Sequence, residues 1–366
     1  MRTTRRGALA LGLGGIAGCV SGPKRTAELS TSEGTADVRV GFVGDVMLGR
    51  GVTEHWQGAE PSGVWGSTLD RLDTLDGLVV NLECTITENG ERWPDKTYYF
   101  RSDPEFARPA LAAADASIAA LANNHVLDFG ETGLLETTAH LDRADIAHTG
   151  AGPDLDAALE PAVTTVDGLT VAMLSLTDRW GEFGAGAESA GSAYMQLDPS
   201  VPATRALVRT ALKRAAAHDP DLLVASLHWG PNWTTTPESQ HEAFARWLID
   251  EGVDVVHGHS AHVLQGVEVY RGSPIIYDAG DFVDDYVHRE EVYNKRSALF
   301  ELGLVDGEPD SLRLVPTEIA DYQATVADEE IAAWFRETIR TRSAPYGTTV
   351  DEDGRSVTIP LGSNGG

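Results

Sequence analysis

The chain has 366 residues, enough for one large domain or two ordinary ones, and a 42% hydrophobic content that supplies a sizeable core. Its formal net charge is −28, and Lys24, Lys96, Lys213 and Lys295 are its only lysines. That balance excludes a nucleic-acid binder, which needs a concentrated basic patch. It suits a protein kept hydrated in high salt and predicts a halophilic source.

The N-terminus reads MRTTRRGALALGLGGIAGCVSG. Arg5-Arg6 is a twin-arginine pair, and the apolar stretch from Ala8 to Ala17 is too short to span a bilayer. It fits the h-region of a secretion signal over residues 1–19. Ile16-Ala17-Gly18-Cys19 resembles a lipobox, which makes Cys19 the lipidation site and places the folded part outside the cytoplasmic membrane, held by a lipid anchor; an ordinary cleaved signal would make it secreted instead. Residues 20–37 are small, polar and aperiodic, as in a flexible tether. Cys19 and Cys84 are the only cysteines, too few for a disulfide framework.

From residue 38 apolar strands alternate with helical stretches, which predicts an α/β class. Strands are expected at 38–43, 78–82 and 118–122, and helices at 104–114 and 132–144. A hairpin is expected around Asp167-Gly168, joining 162–166 to 169–176. A helix at 202–217 precedes a strand at 222–227. A helix at 237–250, closed by Gly252, precedes a strand at 253–256. The runs 266–270, 274–277, 297–304 and 311–315 read as strands of a mostly antiparallel second sheet. The main domain is expected over 38–325. Residues 326–366 are expected to hold a C-terminal helix and a peripheral tail.

Five predicted strands end in a polar residue able to bind metal or move protons. Asp45 follows VGFVG, Glu83 follows GLVVNL, Asn124 and His125 follow ASIAALAN, His228 follows DLLVASL, and His259 and His262 follow VDVVHG. Ligands of α/β sheets gather outside the carboxyl ends of strands. Alone, each residue has a structural reading: a turn aspartate, a paired glutamate, a satisfied core histidine. Recurrence at five strand ends favours a shared site. Its nitrogen and oxygen donors suit Mn, Zn or Fe better than Ca. His257 takes a supporting place, and Cys84 a packing one.

The same segments carry a resemblance. GFVGDVMLGRGV, VVNLECTIT, ANNHVLDFG, SLHWGPNW and GHSAHVLQGVEVYRGSPIIYDAGDFVDDY resemble, in order, the motif set of the CapA family, over residues 38–321. That family is associated with making or exporting poly-γ-glutamate and is placed among the calcineurin-like metallophosphoesterases. The resemblance implies a four-layer α/β/β/α sandwich and one or two divalent ions. It implies metal ligands at Asp45, Glu83, Asn124, His228, His259 and His262, and a catalytic His125 supported by Asp128 or a backbone carbonyl. Two positions depart from the superfamily pattern. Met47 stands where Asp-x-His has its histidine, and His262 follows His259 by three positions, not two.

Arg50 and Arg101 are candidates to hold an anionic substrate, because a guanidinium fork matches phosphate or carboxylate. Asp278 and Asp281 are expected to orient the histidines. The expected function is a metal-dependent hydrolase of phosphoesterase type, acting outside the membrane on an anionic polymer or a phosphoester, beside a membrane-bound polyglutamate synthase. The alternatives are a non-catalytic polymer-binding subunit of that synthase and a general extracellular phosphoesterase.

Overall fold

A computed structural model describes residues 36–362. The predicted signal, Cys19 and most of the tether lie outside the described residues. Two sheets form the middle of the fold. The first has ten strands; its parallel centre joins Val38–Val46, Gly77–Leu82, Ala116–Ala120 and Ala147–Thr149. The second has six, with Leu169–Thr177, Leu222–His228, Val255–His259 and Ser273–Ile276 parallel to one another.

Three apolar cores fix the layers. Val40, Phe42, Val79 and Ile118 of the first sheet meet Val171, Met173, Val224 and Val255 of the second. The alternate residues Val43, Val80 and Ala119 turn outward onto helices Pro104–Ala113 and Gly130–Arg143, through Leu111 and Leu134. On the far side, Leu174, Ala225 and Val256 pack on helices Pro202–Ala216 and Ser239–Asp250, through Val208 and Phe244. Strands covered on both faces read as continuous apolar runs, as these do. The fold is the expected α/β/β/α sandwich.

Three expectations change. The runs predicted as one antiparallel sheet are divided: Val267–Tyr270 and Ser273–Ile276 form a hairpin in the second sheet, while Arg296–Val305 pairs antiparallel to Val38–Val46 in the first. The 253–256 strand instead covers Val255–His259, so His257 and His259 lie within a strand and not in a turn. Position 258 within that strand is glycine, where a Cβ would stand 2.2 Å from the Tyr277 carbonyl oxygen. Nor is the tail peripheral. Ser356–Pro360 pairs with Glu308–Ala320, and its alternate Val357 and Ile359 are fully buried in the inter-sheet core, beside Phe335 and Ile339 of helix Glu329–Ser343.

Candidate metal centre

The inter-sheet core turns polar toward the carboxyl ends of its strands. Along one face, Leu222 and Val224 are followed by Ser226 and His228, Val255 by His257 and His259, and Val79 by Asn81 and Glu83. A strand presents every second residue to one side, so the periodicity that builds the core also aims these groups at one another. Asp45 joins them through an irregularity in register beside Val43. Gly44 permits it: a Cβ there would lie 1.8 Å from the Gly280 carbonyl oxygen, the atom that accepts a 2.9 Å bond from Asp45 N–H. This close approach sets Asp45 opposite Asp281 of strand Asp281–Val283.

Asp45, Glu83, His228, His259 and His262 are all buried. Their donor atoms form two groups, Asp45–His228–His259 and Asp45–Glu83–His262, each close enough for one ion to span it. Asn124 adjoins the first group, its Oδ1 2.8 Å from His228 Nε2. His228 Nδ1 and His259 Nδ1 face each other at 3.0 Å. Glu83 Oε1 stands 3.6 Å from His228 Nε2 and 3.7 Å from His125 Nε2. Neither carboxylate oxygen of Glu83 has a hydrogen-bond partner. Unpartnered carboxylate oxygens in a dry interior cost several kcal/mol, of order 1–3 each for ordinary polar groups and more for charged ones. A cation resolves that cost, so the residues present fit a divalent metal.

The protonation states agree with this donor set. Burial, with neighbouring His259 and His262, drives His228 well below the ordinary histidine range. Burial takes His259 down to about 3. Both rings are therefore neutral, the form that binds metal. Burial, then Asp45, raises Glu83 well above its usual range, so without a cation it holds a proton. Burial opposes a charge on His262, but Asp281, Asp45 and Glu83 outweigh it and raise the ring well above normal.

His262 reaches the centre despite its spacing. Ser260 has φ 108° and His262 φ 57°, both in a region that non-glycine residues rarely enter. The backbone bend returns the ring: its Nδ1 lies 2.7 Å from Asp281 Oδ1 and 3.2 Å from Asp45 Oδ2. Asp278 fastens the bend, accepting from Ala261 N–H at 2.7 Å and Gly280 N–H at 2.8 Å. His257 sits one step deeper; Ser226 Oγ is 3.2 Å from its Nδ1 and 2.9 Å from His259 Nε2.

His125 Nδ1 is 2.7 Å from Asp128 Oδ2, which leaves Nε2 toward Glu83. Lys96 was not among the expected site residues. Its side chain is only 4% exposed and touches Asp128, the Asn124 carbonyl and His125 Nδ1, the last at 3.2 Å. Burial lowers its pKa, against the pull of Asp128. Burial lowers His125 as well, and Lys96 adds to that. Asn81, also unforeseen, donates to Asp45 Oδ1 at 2.7 Å. A cavity of about 230 Å³ opens on His125, Asn124 and His262, with Met47, Lys96 and Arg179 in its wall. Met47 fills, fully buried, the position of the missing histidine.

Arg50 and Arg101 do not line this cavity. They line a neighbouring cleft of about 680 Å³. Arg50 pairs with Asp285 at 3.2 Å. Cys84 packs in the outer core, its thiol pushed up to about 12 by burial, and it belongs to neither donor group.

Residues 39–286 match the family model described as bacterial capsule synthesis protein PGA_cap. The chain belongs to this family. It is 34% identical, over 84% of this chain and 91% of the relative, to a probable polyglutamine synthesis accessory protein of Mycobacterium tuberculosis. It is 30% identical to the capsule biosynthesis protein CapA of Bacillus anthracis, over 76% of this chain and 67% of that one. It is 28% identical to the PGA biosynthesis protein CapA of Bacillus subtilis, over 78% and 72%. The family match spans every one of the five strand ends that build the centre.

Proposed function

We propose that the chain is a metal-dependent hydrolase of phosphoesterase type that serves the assembly or export of poly-γ-glutamate outside the membrane. One observation carries the catalytic part: Glu83 is buried with both oxygens unpartnered among Asp45, His125, His228 and His262. The polymer part is supported by family membership and by what the relatives are named for.

Asp45, Glu83 and His262 would hold one divalent ion, and Asp45, His228, His259 and Asn124 a second; Mn, Zn and Fe all suit these donors. When bound, such an ion supplies Lewis acidity toward a phosphoryl or carboxyl oxygen and acidifies water. Asp128 accepts from His125 Nδ1–H and so leaves the Nε2 lone pair facing the cavity, where the ring can take up a proton from water and then give it to a leaving oxygen. Lys96 offsets the Asp128 charge and ties the Asn124 backbone to the same point. Cys19 would anchor the chain beside a membrane-bound synthase after twin-arginine export.

A second reading, a non-catalytic polymer-binding subunit, is favoured by Met47, which removes one imidazole donor, and by the accessory role named for the mycobacterial relative. The two are separated by stripping metal from the protein, reloading it, and assaying a model phosphodiester and poly-γ-glutamate. The hydrolase reading expects turnover that needs metal and falls about 10²–10⁴-fold in His125→Ala. A metal-loaded protein that cleaves neither substrate contradicts it and leaves the accessory reading.

A further inference from the structure

The cleft beside the metal centre is built differently from the rest of this acidic surface. It holds about 680 Å³, far more than one carboxylate or phosphate needs, and three guanidiniums line it. Each lies on an aromatic face: Arg101 over Phe129 at 4.4 Å, Arg92 over Tyr99 at 5.1 Å, Arg50 over Phe100 at 4.9 Å. Among the described residues, Arg92 and Arg101 make no ion pair, in a chain with 56 acidic residues against 28 basic ones. The carboxylates of the cleft do not neutralise them. Asp103 caps helix Pro104–Ala113 through Glu105 N–H, and Asp285 is taken by Arg50 and Gly51 N–H. Glu54 and Glu88 lie exposed at the lining. Stacking restrains each guanidinium plane, and at Arg92 and Arg101 leaves the N–H edge free for a planar bidentate acceptor.

The wall between cleft and metal mouth is one extended segment. Tyr98 and Phe100 line the mouth, while Tyr99 and Arg101 line the cleft. That is the two-residue alternation of an extended chain. The wall is docked to the centre itself: Arg101–Ser102 pairs with Thr85–Ile86, two residues beyond Glu83, and Phe100 N–H donates to Asp128 Oδ2 at 2.7 Å. A long ligand lying in the cleft would therefore run beside the cavity that opens on His125.

We propose that this cleft binds an extended polycarboxylate, with Arg92 and Arg101 each gripping a carboxylate of the chain. This extends the proposed link to poly-γ-glutamate but does not depend on metal or on hydrolysis.

The test is calorimetric titration of the protein with a γ-linked glutamate oligomer, with inorganic phosphate as a small-anion control. The expected result is saturable oligomer binding, weakened about tenfold or more in Arg92→Gln/Arg101→Gln. The double lysine variant should lose part of the affinity, because it keeps charge without the planar fork. Metal-free Glu83→Gln should retain oligomer binding. Unchanged affinity in the glutamine double variant overturns the proposal, as does no oligomer binding by wild type, or phosphate competing as strongly per mole as the oligomer. Intact oligomer binding without any hydrolysis would remove only the catalytic reading.

Discussion

Asp281 holds His262, with Oδ1 and Nδ1 2.7 Å apart inside a buried site. Burial alone would raise the Asp281 carboxyl, yet the His262 charge lowers it below its ordinary value. The pair thus carries the off-pattern histidine to Asp45. Replacing Asp281 by Asn keeps the shape and removes the charge. Metal affinity should fall about 10–100-fold, the usual effect of losing a ligand's supporting carboxylate. Competition with a chromogenic chelator measures it, and an unchanged affinity would show that the bend alone positions His262.

Metal loading should depend on pH. Cations must displace protons from Glu83 and His262, both raised well above their ordinary 4.5 and 6.5. Apparent affinity should therefore climb as pH rises through neutrality, with protons released on binding. Calorimetry in buffers of different ionisation enthalpy counts those protons.

Stability of the metal-free protein should fall as pH rises through neutrality: burial raises Glu83, Asp278 and Asp284, so their contribution is complete at acid pH and lost as pH rises, opposing the depressed histidines. His228, His257 and His259 are depressed by burial, so their contribution is complete above 6.5 and lost as pH falls. His262 is raised, so its contribution is complete below 6.5 and lost as pH rises through its folded value. Metal should flatten this fall. Thermal melts across pH, with and without chelator, test it.

Gly44→Ala should disturb fold and site together. Its Cβ would stand 1.8 Å from the Gly280 carbonyl oxygen, a backbone atom that cannot move aside. A loss of about 1–3 kcal/mol or more is expected, with weakened metal binding. Denaturant melts and metal titration read the two effects on one sample.

The buried tail strand predicts that Ile359→Ala costs about 2–5 kcal/mol. A peripheral tail would leave the denaturant midpoint unmoved.

Much of the candidate centre was legible because one periodicity served two purposes. The alternation that buries Val224 and Val255 also aims His228 and His259, so reading where apolar strands ended picked out most of the side chains that the fold brings together there. Asn81 and Ser226 lay on those same faces, two residues before Glu83 and His228, and that spacing was a usable signal. Lys96 carried no periodic signal, since it comes from an irregular segment; its scarcity in a chain with so few lysines was the one hint. The tail misled because its Gly, Ser and Asn outweighed a short alternating run, Val357 and Ile359, whose strand partners Leu314 and Leu312 lie 43 and 47 positions upstream. The pairing of Asp281–Val283 with Val38–Val46 brings Gly280 against Gly44, a backbone contact without a side-chain signature.

The most direct test is the metal content of purified wild-type protein and of Glu83→Gln, by elemental analysis after removal of loosely bound ions. A buried carboxylate that awaits a cation predicts a bound divalent metal in wild type and a clear loss in the variant. It also predicts that Glu83→Gln melts higher than metal-free wild type near neutral pH, because glutamine is spared the proton uptake that burial imposes on metal-free Glu83. Wild type without metal under loading conditions, or equal metal in both proteins, would contradict the account.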